Sequence, residues 1–138
     1  MEEGNLEFRV DHTALTVSNL DRSIRWYGMF GFQEQNRFER ADLKVKGALL
    51  KLSEYRLELF EPYEPQKLEV FRQNLAQSLA HIGPQHVALL VDDLDKAYKY
   101  LQGKGVKFAA DITTGKTAKY AFCKDPDGIL LEIKQELG

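Results

Sequence analysis

A single cysteine, Cys123, cannot close a disulfide within the chain, so folding has to rest on packing and hydrogen bonds alone. It sits in a strand-like stretch, Tyr120-Ala-Phe-Cys123, where a small apolar side chain suits a core. No apolar run approaches the roughly 18 residues of a membrane span, and the opening MEEGNLEFRV lacks the basic and apolar regions of an export signal. A cytoplasmic protein is the expectation. Neither charge sign dominates: 19 basic and 21 acidic residues are spread along the chain for a net charge of -2. Without a basic stripe, nucleic acid is not an expected partner.

What is present is a repeat. At 138 residues the chain is long enough to bury one core, and residues 1–138 are expected to form a single domain. Sliding the sequence by 74 residues lays His12 on His86, Ala14 on Ala88, Leu15 on Leu89, Val17 on Val91, Leu20 on Leu94 and Asp21 on Asp95. The same shift carries Gly31 onto Gly105 and Glu58 onto Glu132, with no gap between. In both halves 46 residues separate the histidine from its glutamate. The chain has three histidines, and only His81 stands outside the pattern.

Each half opens on strand-like alternation, Val10 to Val17 and His86 to Val91. A helix follows each strand. Ser18 or Asn19 can cap the first, which runs to about Phe30 with Ile24, Tyr27 and Phe30 inward and Gly31 as its stop. Asp92 or Asp93 can cap the second, where Leu94, Ala97, Tyr98 and Leu101 form the apolar stripe before Gly103 or Gly105. Three strands then follow in each half: Phe32 to Phe38, Leu43 to Lys51 and Tyr55 to Phe60, then Lys107 to Ala110, Ala118 to Cys123 and Ile129 to Lys134. Asp125-Pro-Asp-Gly128 suits a turn between the last two.

The order is βαβββ, twice, with module one at about 8–61 and module two at about 84–137. The stretch between, about 62–83, is predicted to hold an amphipathic linker helix, Gln66 to Ala80, with Leu68, Phe71, Leu75 and Leu79 on one side.

Strand parity then sorts the polar residues. His12 shares a face with Ala14 and Thr16, opposite Thr13, Leu15 and Val17. His86 faces away from Val87, Leu89 and Val91, Glu58 from Leu57 and Leu59, and Glu132 from Leu131 and Ile133. One such residue is most simply a solvated position on a half-exposed sheet. The same two residue types at the same two places in both halves point instead to a pseudo-twofold metal site. Two imidazoles and two carboxylates suit one divalent ion of Zn, Ni, Co, Mn or Fe, and the absence of thiolates argues against a purely structural zinc.

Asp11-His-Thr-Ala-Leu-Thr-Val-Ser-Asn-Leu-Asp-Arg-Ser-Ile-Arg-Trp-Tyr27, Leu57-Glu-Leu59, Gln85-His-Val-Ala-Leu-Leu-Val-Asp-Asp93 and Asp125-Pro-Asp-Gly-Ile-Leu-Leu-Glu132 together resemble the vicinal-oxygen-chelate, or glyoxalase/bleomycin-resistance/dioxygenase, superfamily. The resemblance covers nearly the whole chain. It implies an α+β fold in which two tandem βαβββ modules form a cupped, barrel-like mixed sheet around a metal, within one chain or across a homodimer.

The set His12, Glu58, His86 and Glu132 looks most like the glyoxalase I (lactoylglutathione lyase) branch. That likeness implies proton transfer through an enediolate of a small substrate chelated by vicinal oxygens, with Glu132 or Glu58 as the base. Lys116 in Thr114-Gly-Lys-Thr117 matches a lysine-bearing loop of that branch, and Tyr120 and Phe122 would face the substrate. Thr16, Pro62 and Ile82 stand where that branch typically has Arg, Asn and Arg for holding glutathione. Two other readings stay open: an Fe(II) dioxygenase, which would have its catalytic tyrosine where this chain has Phe122, and a non-catalytic antibiotic-binding resistance protein, whose relatives usually lack the ligand set.

Overall fold

In the computed structural model, residues 6–138 are described. Two compact units divide the chain, Met1–Pro65 and Gln66–Gly138. The fold is mixed α+β, with one mixed sheet per unit and few helices.

In the first unit, β1 (Thr13–Thr16) leads into α1 (Leu20–Gly28), then β2 (Gln33–Arg40), β3 (Val45–Leu52) and β4 (Tyr55–Pro62). The sheet order is β1-β4-β3-β2, with β1 parallel to β4 and the other pairs antiparallel. The return of β4 beside β1 places Ala14 against Glu58. One face carries the leucines: Leu50, Leu57 and Leu59 are fully buried with Ala48, and α1 adds Leu20 and Tyr27. Trp26 packs edge-on to Tyr27, so both aromatics serve packing.

Asn19 caps α1, its side-chain oxygen accepting from Arg22 N at 2.9 Å. Gly31, at φ +104°, takes the left-handed turn that ends the helical segment. The outer strand β2 is almost wholly exposed and bears Glu34, Arg37, Glu39 and Arg40, charges that keep a sheet edge from pairing with another chain.

The second unit repeats the plan. β5 (Val87–Leu90), α3 (Leu94–Gly103), β6 (Lys107–Phe108), β8 (Ala118–Lys124) and β9 (Leu130–Glu136) form a sheet in the order β5-β9-β8-β6, and β7 (Thr113–Thr114) pairs with β8. Leu94, Leu101, Ala121, Cys123, Leu131 and Ile133 are buried. Burial pushes the Cys123 thiol up to about 12, so it is a protonated core group.

The 74-residue shift reaches hydrogen bonds that no composition signal records. Glu61 Oε1 accepts from Leu20 N at 2.6 Å, and Gln135 Oε1 accepts from Leu94 N at 2.8 Å. Val17 N donates to Phe60 O and Val91 N to Lys134 O, at 2.7 and 2.9 Å. In each unit the last strand therefore fixes where the helix begins.

Three expectations change. The helix expected over Gln66 to Ala80 is instead a 3-10 turn, Val70–Gln73, and one short turn of α2 (Leu75–Ser78). Asn74 between them is extended, and its side chain accepts from Gln77 N, so it restarts the chain rather than continuing a helix. Leu79, assigned to the apolar stripe, is exposed. The strand expected over Lys107 to Ala110 keeps two residues. The expected α+β fold of two mixed sheets is present, with no closed barrel among the described residues.

The ungapped repeat also conceals a one-residue shift. Leu49 stands opposite Glu58, nine residues on, whereas Phe122 stands opposite Glu132, ten residues on. The β3–β4 hairpin turns on Ser53 and Glu54, and the β8–β9 hairpin on Asp125 to Ile129. There Asp125 Oδ1 accepts from Asp127 N and Ile129 N, and Gly128 lies at φ +91°. No helix among the described residues is long and apolar enough to cross a membrane.

Candidate metal centre

His12 lies just before β1 and Glu58 in the middle of β4, on the face away from the buried leucines. His12 Nε2 and Glu58 Oε1 are 3.3 Å apart, with the side chains 39% and 24% exposed. In the second unit His86 just precedes β5 and Glu132 sits within β9 between the buried Leu131 and Ile133. Their Nε2 and Oε1 are 2.9 Å apart, at 21% and 16% exposure. Parallel pairing of the first and last strands brings each histidine beside the glutamate 46 residues later.

These separations can be tested against metal chemistry. Two donors bound at about 2.1 Å to one ion lie roughly 3.0 Å apart at a right angle and roughly 3.4 Å apart at a tetrahedral angle. Both pairs fall in or next to that range, so each presents one nitrogen and one oxygen at a chelating distance. The donor set fits a borderline divalent ion. Among the described residues no group of three or more His, Cys, Asp and Glu side chains comes together as a metal-holding cluster; the candidates meet two by two.

The surroundings of the pairs differ. Asp11 Oδ2 lies 2.7 Å from His12 Nδ1 and Arg56 Nη1 3.5 Å from Asp11 Oδ1. The hydrogen bond to Asp11 raises the His12 pKa above the ordinary imidazole value, and the same bond lowers that of Asp11. Among the described residues His86 has no such neighbour, because Gln85 turns away: its amide nitrogen donates to Ser78 O and His81 O, and its oxygen accepts from Ser78 Oγ at 2.6 Å. The edge-on ring of Phe122 meets His86 instead, centroids 4.9 Å apart.

Of the expected substrate contacts, Phe122 stands opposite Glu132 and Tyr120 is 6.0 Å from it, centroid to centroid. Lys116 lies in the exposed turn between β7 and β8. Thr16 and Ile82 are exposed and Pro62 ends β4. His81 stacks on Phe71 at 3.7 Å, away from either pair in role.

Two features escaped sequence reasoning. Asp11 was part of the opening motif but strand alternation assigns it to the opposite face from His12; the strand begins only at Thr13, which frees the two neighbours to meet. Lys134 lies two residues beyond Glu132 in β9, opposite Tyr120, and the signal for it was the parity already used for Glu132.

Residues 9–133 match the model of the Glyoxalase/Bleomycin resistance protein/Dioxygenase superfamily. The chain belongs to that superfamily. It is 29% identical over 143 residues to the lactoylglutathione lyase of Schizosaccharomyces pombe, covering 91% of this chain and 47% of that one, so it spans about half the length of that relative. It is 30% identical over 132 residues to the uncharacterized protein YaeR of Escherichia coli, covering 93% and 96%. Among solved structures, glyoxalase I from Zea mays is similar at a TM-score of 0.74 and 27% identity, over 94% of this chain and 45% of that one. A glyoxalase family protein from Bacillus cereus shares the fold over 97% of both chains, at a TM-score of 0.79 and 20% identity.

Proposed function

We propose that the protein is a divalent-metal-dependent lyase or isomerase of the glyoxalase superfamily, working in the cytoplasm as a homodimer on a small substrate with two neighbouring oxygens. The observation that carries the reading is the His–Glu pair at chelating separation, present twice at repeat-equivalent positions. His12, Glu58, His86 and Glu132 would hold the ion, one nitrogen and one oxygen from each module. When bound, a Zn, Ni, Co, Mn or Fe ion would polarise the substrate's oxygens and acidify the adjacent C–H. Glu132 or Glu58 takes that proton and returns it to the neighbouring carbon, so the substrate is isomerised without net gain or loss of a proton. Phe122 and Tyr120 give the second module's wall an apolar character that limits water around Glu132, and Lys116 is suited to meeting an anionic end of the substrate.

Thr16, Pro62 and Ile82 offer no charge for the tripeptide, which argues for a substrate other than a glutathione adduct. Phe122, lacking a hydroxyl, argues against catechol ring cleavage.

Metal analysis of protein purified without added metal, then reloaded, tests the reading on wild type, His12→Ala and Glu132→Ala. A stoichiometric divalent ion in wild type, lost from both variants, is expected; a wild type that takes up no ion would make the protein a binding module instead. Assays on the methylglyoxal–glutathione hemithioacetal and, with Fe(II), on catechol then separate the branches.

A further inference from the structure

We infer that Asp11 is a positioning residue for His12, holding its imidazole as the Nδ1–H tautomer so that the Nε2 lone pair faces Glu58. The inference deepens the metal-dependent reading above and rests on it for its purpose, not for its geometry. An ionised carboxylate only accepts hydrogen bonds, so the 2.7 Å contact from Asp11 Oδ2 requires the proton of a neutral ring to reside on Nδ1. The remaining nitrogen, Nε2, is the atom 3.3 Å from Glu58 Oε1.

Asp11 is itself steadied, because its other oxygen meets Arg56, which stands two residues before Glu58 on the same strand face. Arg56, Asp11, His12 and Glu58 thus stand in one continuous line that ends, in this tautomer, on two facing acceptors, Nε2 and Glu58 Oε1, between which a cation would sit. A carboxylate behind a metal-binding imidazole fixes tautomer and ring orientation and strengthens the ligand.

The second module supplies the contrast. The residues 74 positions on from Asp11 and Arg56 are Gln85 and Leu130. Gln85 is occupied with the connecting segment, Leu130 is buried, and His86 is flanked by Phe122. The two histidines are therefore oriented by different means, a charge-assisted hydrogen bond in one module and ring packing in the other.

The test compares wild type with Asp11→Ala and Asp11→Asn, and uses Asp42→Ala, a carboxylate paired with Arg40, to match the loss of one charge. Nitrogen-15 NMR of the imidazoles in metal-free protein, at a pH where the rings are neutral, reads the tautomer; competition titration with Zn(II) reads the affinity. Wild type is expected to show Nδ1–H at His12, and Asp11→Ala mainly Nε2–H, with Zn(II) affinity lower by about 10- to 100-fold. Asp11→Asn, whose amide oxygen still accepts from Nδ1, should keep the tautomer and recover part of the affinity, and Asp42→Ala should stay within about twofold of wild type.

A wild type with Nε2–H at His12, or an Asp11→Ala protein that keeps both tautomer and affinity, would overturn the inference. Wild type that binds no Zn(II) would remove the metal-dependent function instead, while the tautomer measurement would still decide the role of Asp11.

Discussion

Module one and module two share a fold plan and differ in how it is finished. The first has three full-length strands after its helix, whereas the second reduces β6 and β7 to two residues each. The first holds its histidine through Asp11 and leaves the pair more open; the second encloses its pair beside an aromatic ring. What stays common is the part that fixes the His–Glu geometry: the parallel pairing of first and last strands, the polar helix cap, and the bond from the last strand to the helix start. A duplicated unit keeps the bonds that set its frame and varies the walls.

The comparison breaks most readily in the cores. Leu57→Ala and Leu131→Ala occupy repeat-equivalent, fully buried positions, and each should destabilise by about 2–5 kcal/mol in urea unfolding. Losses differing by more than about 2 kcal/mol would show that the modules are not energetic equivalents. Next come the proposed ligands: His12→Ala and His86→Ala should each weaken Zn(II) binding by on the order of 100-fold, about 2.8 kcal/mol. If only one does so, the pseudo-twofold site fails.

The helix caps sharpen the comparison on a smaller scale. Asn19→Ala and Asp93→Ala should each cost about 1 kcal/mol, read from the thermal midpoint. Ser23 offers a change of opposite sign, since its hydroxyl is buried with no hydrogen-bond partner among the described residues, and the equivalent residue of module two is Ala97. Ser23→Ala should leave stability unchanged or raise it by up to about 1 kcal/mol.

Smallest in stability at neutral pH is Cys123. With the folded thiol pushed up to about 12 against an ordinary value of 9.0, the native state keeps its proton at pH values where the unfolded chain loses it. Stability from this group is therefore constant below pH 9 and falls as pH rises from there toward 12. Iodoacetamide labelling at pH 8 should be negligible in the folded protein and rapid in urea.

The repeat made much of this legible in the sequence. Asn19 and Asp93 cap the helices as expected, Gly31 and Gly105 take positive φ after them, and leucine parity assigns the buried faces of β4 and β9. The two pairs of candidate ligands follow from that parity.

Helical spacing misled between the modules, where Leu68, Phe71, Leu75 and Leu79 look like a stripe. A stripe stabilises a helix only if it is buried along its length, and Leu79 is exposed while Asn74 diverts the backbone. The register of β8 was illegible for another reason. Counting residues between His86 and Glu132 gives the same total as in module one, because the longer β8–β9 hairpin is offset by a shorter path before it. Asp11 was missed because a strand rule was extended two residues past the strand.

The longer Asp125 to Ile129 turn changes the neighbour of Glu132 without changing the glutamate itself. Loop length helps to set the register of a hairpin, and a register shift of one residue moves every side chain of the shifted strand to the other face. A phenyl ring, where module one has the aliphatic Leu49, thus stands against the glutamate. Loop length acts here as a selector of wall chemistry, and a library varied in the number of residues between Lys124 and Leu130 would sample new linings around an unchanged His–Glu pair.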